Sequence, residues 1–513
     1  MTVNQWLIFI LIVQIIHFAG TWRLYEAAGR KRWEAAVPVY NAIVLMKIIN
    51  RPTWWTILLF VPIVNLVMFP VVWVETLRSF GKNSTTDTLL GIFTGGLYLY
   101  YVNYTQELNY VPDRSTVANS KTGDTISSIL FAVIVATIVH TYIMQPFTIP
   151  TSSLEKSLLV GDFLFVSKYH YGARTPMTTV AFPMVHDTIP IINKKSYTDW
   201  PQLPTFRLPG MQNIERNDIV VFNWPADTVR YFGDHQSVNI RKPIDKKSNY
   251  VKRCVGIPGD SISIKDGILY VSGKVLQLPE WASPQFSYTV NTSGTALDPA
   301  YLLKELNVTD PVYQMTQNTY LFKALTEESV ARLKALPGVT SVERNVTRTG
   351  EPNIFTRNPG WSMDNMGPIY IPGKGQTVAL TAQSLPFYKK IIAEYEKNEL
   401  QVSGNEIRIN GKPVTTYTFK QNYYWMMGDN RHNSEDSRYW GFVPENHVVG
   451  KPVFVFMSWN QHGSGFNKVR WDRVFTVVHS DGKPSSYFKY FIVALALYFG
   501  ISYFIGKRRA AKG

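Results

Sequence analysis

The stretch "PTSSLEKSLLVGD" (150–162) sets two serines side by side, with a lysine three residues after the second. A serine hydroxyl is a poor nucleophile until a base takes its proton. Three partners for Ser153 are open. Lys156 stands in an S-x-x-K spacing, one helical turn from Ser153, as in penicillin-binding proteins and β-lactamases. Those enzymes also need S-D-N and K-T-G elements downstream; no S-D-N occurs, and the K-T-G at 121–123 lies upstream. A Ser-His-Asp arrangement could draw on His432 and Asp436, but no G-x-S-x-G elbow frames any serine. The third partner is Lys252, in the strand-like run "YVKRCVGIPGD". Apolar surroundings disfavour an ammonium ion and lower its pKa, so a lysine there can act as a neutral base.

The elements that must carry these residues are of two kinds. Of the 513 residues, 45% are hydrophobic and 17% charged, but the apolar ones gather in long blocks, as in a membrane protein with a large soluble part. Five stretches reach the length of a membrane helix: 5–22, 55–77, 88–105, 126–144 and 486–506. The second carries Pro62 and Pro70, and the third several glycines. Between the first two, 29–55 reads as an interfacial amphipathic helix.

The net charge of +15 comes from basic residues clustered beside these blocks. It reads as positive-inside topology, and with no recognition motif present no nucleic-acid partner is expected. Arg23, Arg30, Lys31, Arg32, Lys47 and Arg51 follow the first span, and "KRRAAKG" follows the last. Five spans put both segments in the cytoplasm and residues 145–485 outside; four would separate them. The single cysteine, Cys254, excludes an internal disulfide and a cysteine-built zinc site, and reads as a small packed side chain.

Beyond residue 145 the pattern is short and β-rich. The segments 161–172, 217–225, 250–274 and 405–419 carry branched and aromatic runs punctuated by Asp-Gly or Asn-Gly hairpin signals. Helical periodicity is limited mainly to 326–337 and 385–399. The expected architecture is a mainly antiparallel β catalytic core with an inserted cap domain and about five transmembrane helices. Its divisions are 1–125 (membrane region, three spans), 126–144 (anchor helix), 145–274 and 405–484 (core), 275–404 (cap), and 485–513 (last span and basic tail).

Four segments, in order after a predicted span, carry a resemblance: "IPTSSLEKSLLVGD", "NDIVVFNWP", "YVKRCVGIPGD" and "GDNRHNSEDSRYWGFVP". Together they resemble the signature boxes of bacterial type I signal peptidase. That resemblance implies a β core with a β cap, anchored on the outer face of the cytoplasmic (inner) membrane, which cleaves signal peptides from preproteins with a Ser/Lys dyad. Small side chains beside the cleavage point are the implied preference. The partners implied are preprotein signal peptides, the lipid bilayer and the protein export machinery, with no cofactor or metal.

Ser153 then matches the nucleophile, Lys252 the general base, and Thr151 an oxyanion-hole donor together with the Ser153 backbone N–H. Ser434 matches a serine that hydrogen-bonds the lysine, and Asp429, Arg431, Asp436 and Arg438 match the charged supports of the last box. The sequence departs from the family pattern at Leu154 (usually methionine), at Lys156 (at a proline position) and at His432 (usually an acid). The extended run "PFTIP" before the serines could pair with substrate as an added strand. Two rival readings are a Ser-x-x-Lys acyl-enzyme that interacts with β-lactams and an inactive membrane-anchored scaffold that binds exported proteins.

Overall fold

A computed structural model describes residues 3–117, 120–204, 206–229, 239–280, 282–478 and 485–510. The expected boundary at 484 and the last three residues of the basic tail lie outside them.

Three helices among the described residues are long and apolar enough to cross a membrane: Asn4–Ala27, Lys121–Ile143 and Phe488–Ile505. They leave Leu7, Ile8, Phe131, Leu497 and Tyr498 exposed, as a lipid-facing surface requires.

The second and third of the five expected spans are not continuous helices. The 55–77 stretch divides into Trp55–Leu58 and Val64–Ser79, with Pro62 in the break and Ile63 at a φ of 70°. The 88–105 stretch divides into Thr85–Phe93 and Tyr98–Thr105. Gly95 and Gly96 stand between them at φ 61° and 84°, a left-handed conformation no helix continues through. A side chain at Gly96 would strike the Trp73 ring.

Trp55–Leu58, Val64–Ser79 and Tyr98–Thr105 share one core, built on Leu24 and Tyr25 and including Val44, Leu58, Met68, Val72, Leu99 and Val102. Helix Tyr40–Ile48, in the stretch expected to lie amphipathic on the interface, buries six of its nine residues, five of them in that core. Chain breaks at Pro62 and Gly95–Gly96, and packing among neighbours, are things a hydropathy profile does not see.

The soluble part is mainly antiparallel β. Its largest sheet has eight strands. Seven of them are β1 (Met144–Thr148), β2 (Asp162–Ser167), β3 (Ile219–Asn223), β4 (Asn249–Gly256), β5 (Tyr423–Met427), β6 (Val443–Pro444) and β7 (Val448–Ser458). They run in the order β1-β2-β7-β3-β4-β5-β6, with the short strand Thr476–Val477 paired to β7. The long strand β7 pairs with β2 along one half and with β3 along the other, with bulges in both registers. Bulges bend a strand and raise its twist.

The sheet is lined by Leu164, Val166, Ile219, Val221 and Val455, against which Leu154 and Leu158 are buried. The turn after β1 is thereby drawn back across the sheet.

The expected helices at 326–337 and 385–399 form as Glu327–Lys334 and as Leu385–Lys390 continued by a π turn to Tyr395. The first belongs to a unit spanning 286–344. Its sheet runs Val312–Thr316, Thr319–Leu325, Phe286–Thr292, Val339–Arg344, over a core of its own that includes Val290, Phe322 and Leu333. Strand Met366–Tyr370 pairs with Ser261–Lys265, so the end of the expected cap segment and the first core segment share a sheet.

Candidate active site

The chain leaves β1 through Pro150, and Thr151 is extended at φ −129° and ψ 154°. A single 3-10 turn follows over Ser152–Leu154, closed by the Glu155 N–H donating to Ser152 O at 2.9 Å. Leu154, 1% exposed, fixes this turn from below, and Ser153 is buried with it.

Lys252 lies on β4 opposite Val220 of β3. In the sheet order β4 is four places from β1. At about 4.8 Å per strand that is roughly 19 Å in a flat sheet. Yet Lys252 Nζ and Ser153 Oγ are 2.7 Å apart and both residues are buried. The returning turn and the bulged, bent strands close that distance.

Burial is the main influence on the Lys252 ammonium and lowers its pKa to about 8, against the opposing pull of Asp436 and Glu435. The Tyr250 ring lies 5.1 Å from the ammonium. The pair opens on a cleft of about 260 Å³ whose lining includes Thr151, Ser152, Tyr250 and Glu435. The other proposed partners are turned elsewhere. Lys156 Nζ donates to Asn307 O at 2.5 Å and to Thr309 Oγ1 at 3.3 Å. His432 accepts the Ser287 N–H at Nδ1 (3.1 Å), which leaves the proton on Nε2 to be donated to Asp364 at 3.1 Å.

A family model described as signal peptidase, peptidase S26, matches residues 122–324 and 367–459, more than half of the chain. The chain belongs to this family. Among similar proteins of the signal peptidase family is the "Signal peptidase I" of Buchnera aphidicola (Schizaphis graminum), 26% identical over 71% of this chain and 85% of that protein. The Haemophilus influenzae "Signal peptidase I" is 25% identical over 70% of this chain and 76% of its own length. The Rickettsia canadensis "Signal peptidase I" is 30% identical over 33% of this chain and 50% of its own. Residues 33–113 match a separate family of unknown function. The signal peptidase match thus spans the β core and the preceding membrane helix, and excludes the small N-terminal helical core.

The loop after β5 carries the other residues expected at the site, and it is built around two buried carboxylates. Asp436 caps the short helix Ser437–Trp440 and takes two bonds from Arg438, Nε to Oδ1 and Nη2 to Oδ2, both at 2.8 Å. It also accepts the Gly428 N–H at 3.0 Å and the Ser434 hydroxyl at 2.8 Å. Ser434 was expected to bond the lysine; its hydroxyl hydrogen goes to this buried carboxylate two residues away, which leaves the hydroxyl oxygen as the acceptor.

Asp429 is held in the same way by Arg253. Burial alone would raise both carboxyls; the paired arginines hold both below the usual carboxylate range. Arg431 is buried against the same loop, and burial lowers it to about 10. Its backbone N–H donates to Gln285 O at 2.9 Å. Thr151 is exposed at the cleft wall.

Several functional neighbours were missed in the sequence. Arg253, beside Lys252, bonds both Asp429 and Ser157, four residues after Ser153. Gly428 leaves no room for a side chain, since a Cβ there would lie 2.6 Å from Ser153 O. Asn430 and Asn433 reach Ser152 at 3.2 Å (to its O) and 2.9 Å (to its Oγ). The only signal for these was membership of the quoted boxes, because their partners are remote in the chain. Cys254 is packed among Val220, Phe222 and Met426, as a small core side chain.

Proposed function

We propose that this chain is a membrane-anchored serine endopeptidase that removes signal peptides from preproteins, with Ser153 as nucleophile and Lys252 as general base. The observation that carries the assignment of roles is the 2.7 Å contact between Lys252 Nζ and Ser153 Oγ in a desolvated pocket. Desolvation leaves a substantial fraction of the amine neutral near pH 8. The neutral amine accepts the hydroxyl proton as Oγ attacks the scissile carbonyl carbon. The carbonyl oxygen, now negative, accepts hydrogen bonds from the Ser153 N–H and the Thr151 hydroxyl. The resulting Lys252 ammonium gives its proton to the leaving amine, which departs as the new N-terminus of the mature protein. Lys252 then takes a proton from the water that hydrolyses the acyl-enzyme. Asp429, Arg431, Ser434, Asp436 and Arg438 act by fixing the loop that backs the pair.

Strand β1 ends its sheet, with β2 on one side. Its last residues, Phe147 and Thr148, line the cleft. An extended substrate segment added along that open edge delivers its scissile bond to Ser153. Helix Lys121–Ile143 precedes β1 directly, so cleavage occurs next to the bilayer surface. The basic residues after the first span and in the C-terminal tail put those segments in the cytoplasm, and the catalytic part on the outer face of the inner membrane. Substrates reach that face by way of the export machinery. Residues 275–404 form a cap over the catalytic loop.

Cleavage of a model preprotein by the purified full-length protein, compared with Ser153→Ala, tests the reading. Undiminished cleavage by the variant overturns it.

A further inference from the structure

Segment Asn307–Asp310 of the expected cap meets the nucleophile turn at several points. At one end Lys156 Nζ donates to Asn307 O, and the Thr309 hydroxyl donates to Glu155 Oε1 at 3.2 Å. At the other end the Asp310 carboxylate receives two amide groups, Asn430 Nδ2 at Oδ2 (2.5 Å) and Asn433 Nδ2 at Oδ1 (3.1 Å). Each amide nitrogen carries two hydrogens, and the second goes to the serine turn. Asn430 Nδ2 also donates to Ser152 O at 3.2 Å, and Asn433 Nδ2 to Ser152 Oγ at 2.9 Å. The Asn430 backbone N–H donates to Ser153 O at 3.1 Å.

A carboxylate is acceptor-only, so it fixes which way both amides face. Were Asn430 flipped, its Oδ1 would meet the Asp310 carboxylate and Ser152 O, three acceptors together with no hydrogen between them. The orientation present leaves Asn430 Oδ1 buried without a partner, a cost accepted because both N–H groups are used.

We infer that Asp310 is a positioning residue for peptide cleavage: by orienting Asn430 and Asn433 it clamps the Ser152–Ser153 backbone, and with it the Ser153 N–H and hydroxyl, in the reactive geometry. This rests on the reading of Ser153 as nucleophile. It gives the inserted segment a part in the reaction, and it accounts for the lysine at position 156, whose bond to Asn307 O ties the same two segments.

The test uses the full-length protein in detergent with a model preprotein, measuring kcat, KM and the thermal midpoint. Asp310→Ala is expected to lower kcat by up to about 10²-fold, the scale of a misplaced reacting group. KM and the thermal midpoint should stay close to wild type. In Asp310→Asn an amide nitrogen faces one of the two asparagine nitrogens. Adding Asn433→Asp reverses that contact and should restore kcat relative to Asp310→Asn alone. An unchanged kcat in Asp310→Ala overturns the inference. So does a joint loss of kcat, substrate affinity and thermal midpoint without rescue, which marks a packing role. A Ser153→Ala control that still cleaves overturns instead the reading on which the inference rests.

Discussion

Arg253 grips both oxygens of Asp429, Nε to Oδ1 at 2.7 Å and Nη2 to Oδ2 at 2.5 Å, with both side chains out of contact with solvent. The pair joins the strand that carries Lys252 to the loop that backs Ser153. Removing one partner of a buried pair leaves the other charge uncompensated, at about 3–5 kcal/mol. Asp429→Ala should therefore lower stability by about that amount in denaturant unfolding of the detergent-solubilised protein. Replacing both partners by apolar residues should recover part of it. A loss under about 1 kcal/mol, the scale of an exposed pair, would show that the bridge is solvated.

The two lysines near Ser153 are told apart by deletion. Lys252→Ala should lower preprotein processing by about 10²–10⁴-fold, the range of general-base contributions. Lys156→Ala should keep most activity, because its ammonium is spent on Asn307 O and Thr309. A dead Lys156→Ala beside an active Lys252→Ala would revive the Ser-x-x-Lys reading.

The pH profile follows from the lysine. Its ammonium form holds no lone pair to accept the Ser153 proton, so activity is present above the Lys252 pKa and lost as pH falls through about 8. The neighbouring Glu435 carboxylate favours the ammonium and pulls the pKa up. Glu435→Gln should therefore move the acid limb of kcat/KM to lower pH. A limb that stays in place, or moves to higher pH, speaks against electrostatic coupling of the two groups.

A Cβ on Gly428 would lie 2.3 Å from Ser434 Oγ and 2.6 Å from Ser153 O. Gly428→Ala should displace both the Ser434 side chain and the nucleophile turn, and lower kcat more than it lowers the unfolding midpoint. Comparable losses in both would mean that the strain is spread through the core instead of falling on the turn.

Local pattern alone went a long way in the β core. Alternating branched and aromatic residues marked the runs at 217–225 and 250–274 that become strands, and the Asp-Gly and Asn-Gly corners marked hairpins. The same local logic failed for 55–77 and 88–105. Hydropathy counts apolar residues without asking whether the helix is continuous, and breaks at Pro62 and Gly95–Gly96 turned two spans into four short helices.

The candidate site divides in the same way. Residue type and the four motif boxes were enough to nominate Ser153, Lys252 and the charged loop. That Ser153 and Lys252 touch across 99 residues depends on the turn that Leu154 and Leu158 draw back over a bent sheet. That Lys156 and His432 do not reach Ser153, that Ser434 donates to Asp436, and that Asp310 accepts from Asn430 and Asn433 are outcomes of long-range packing. Hydrogen-bond direction, burial and distance between remote segments are properties of the folded chain, and no spacing along the sequence encodes them.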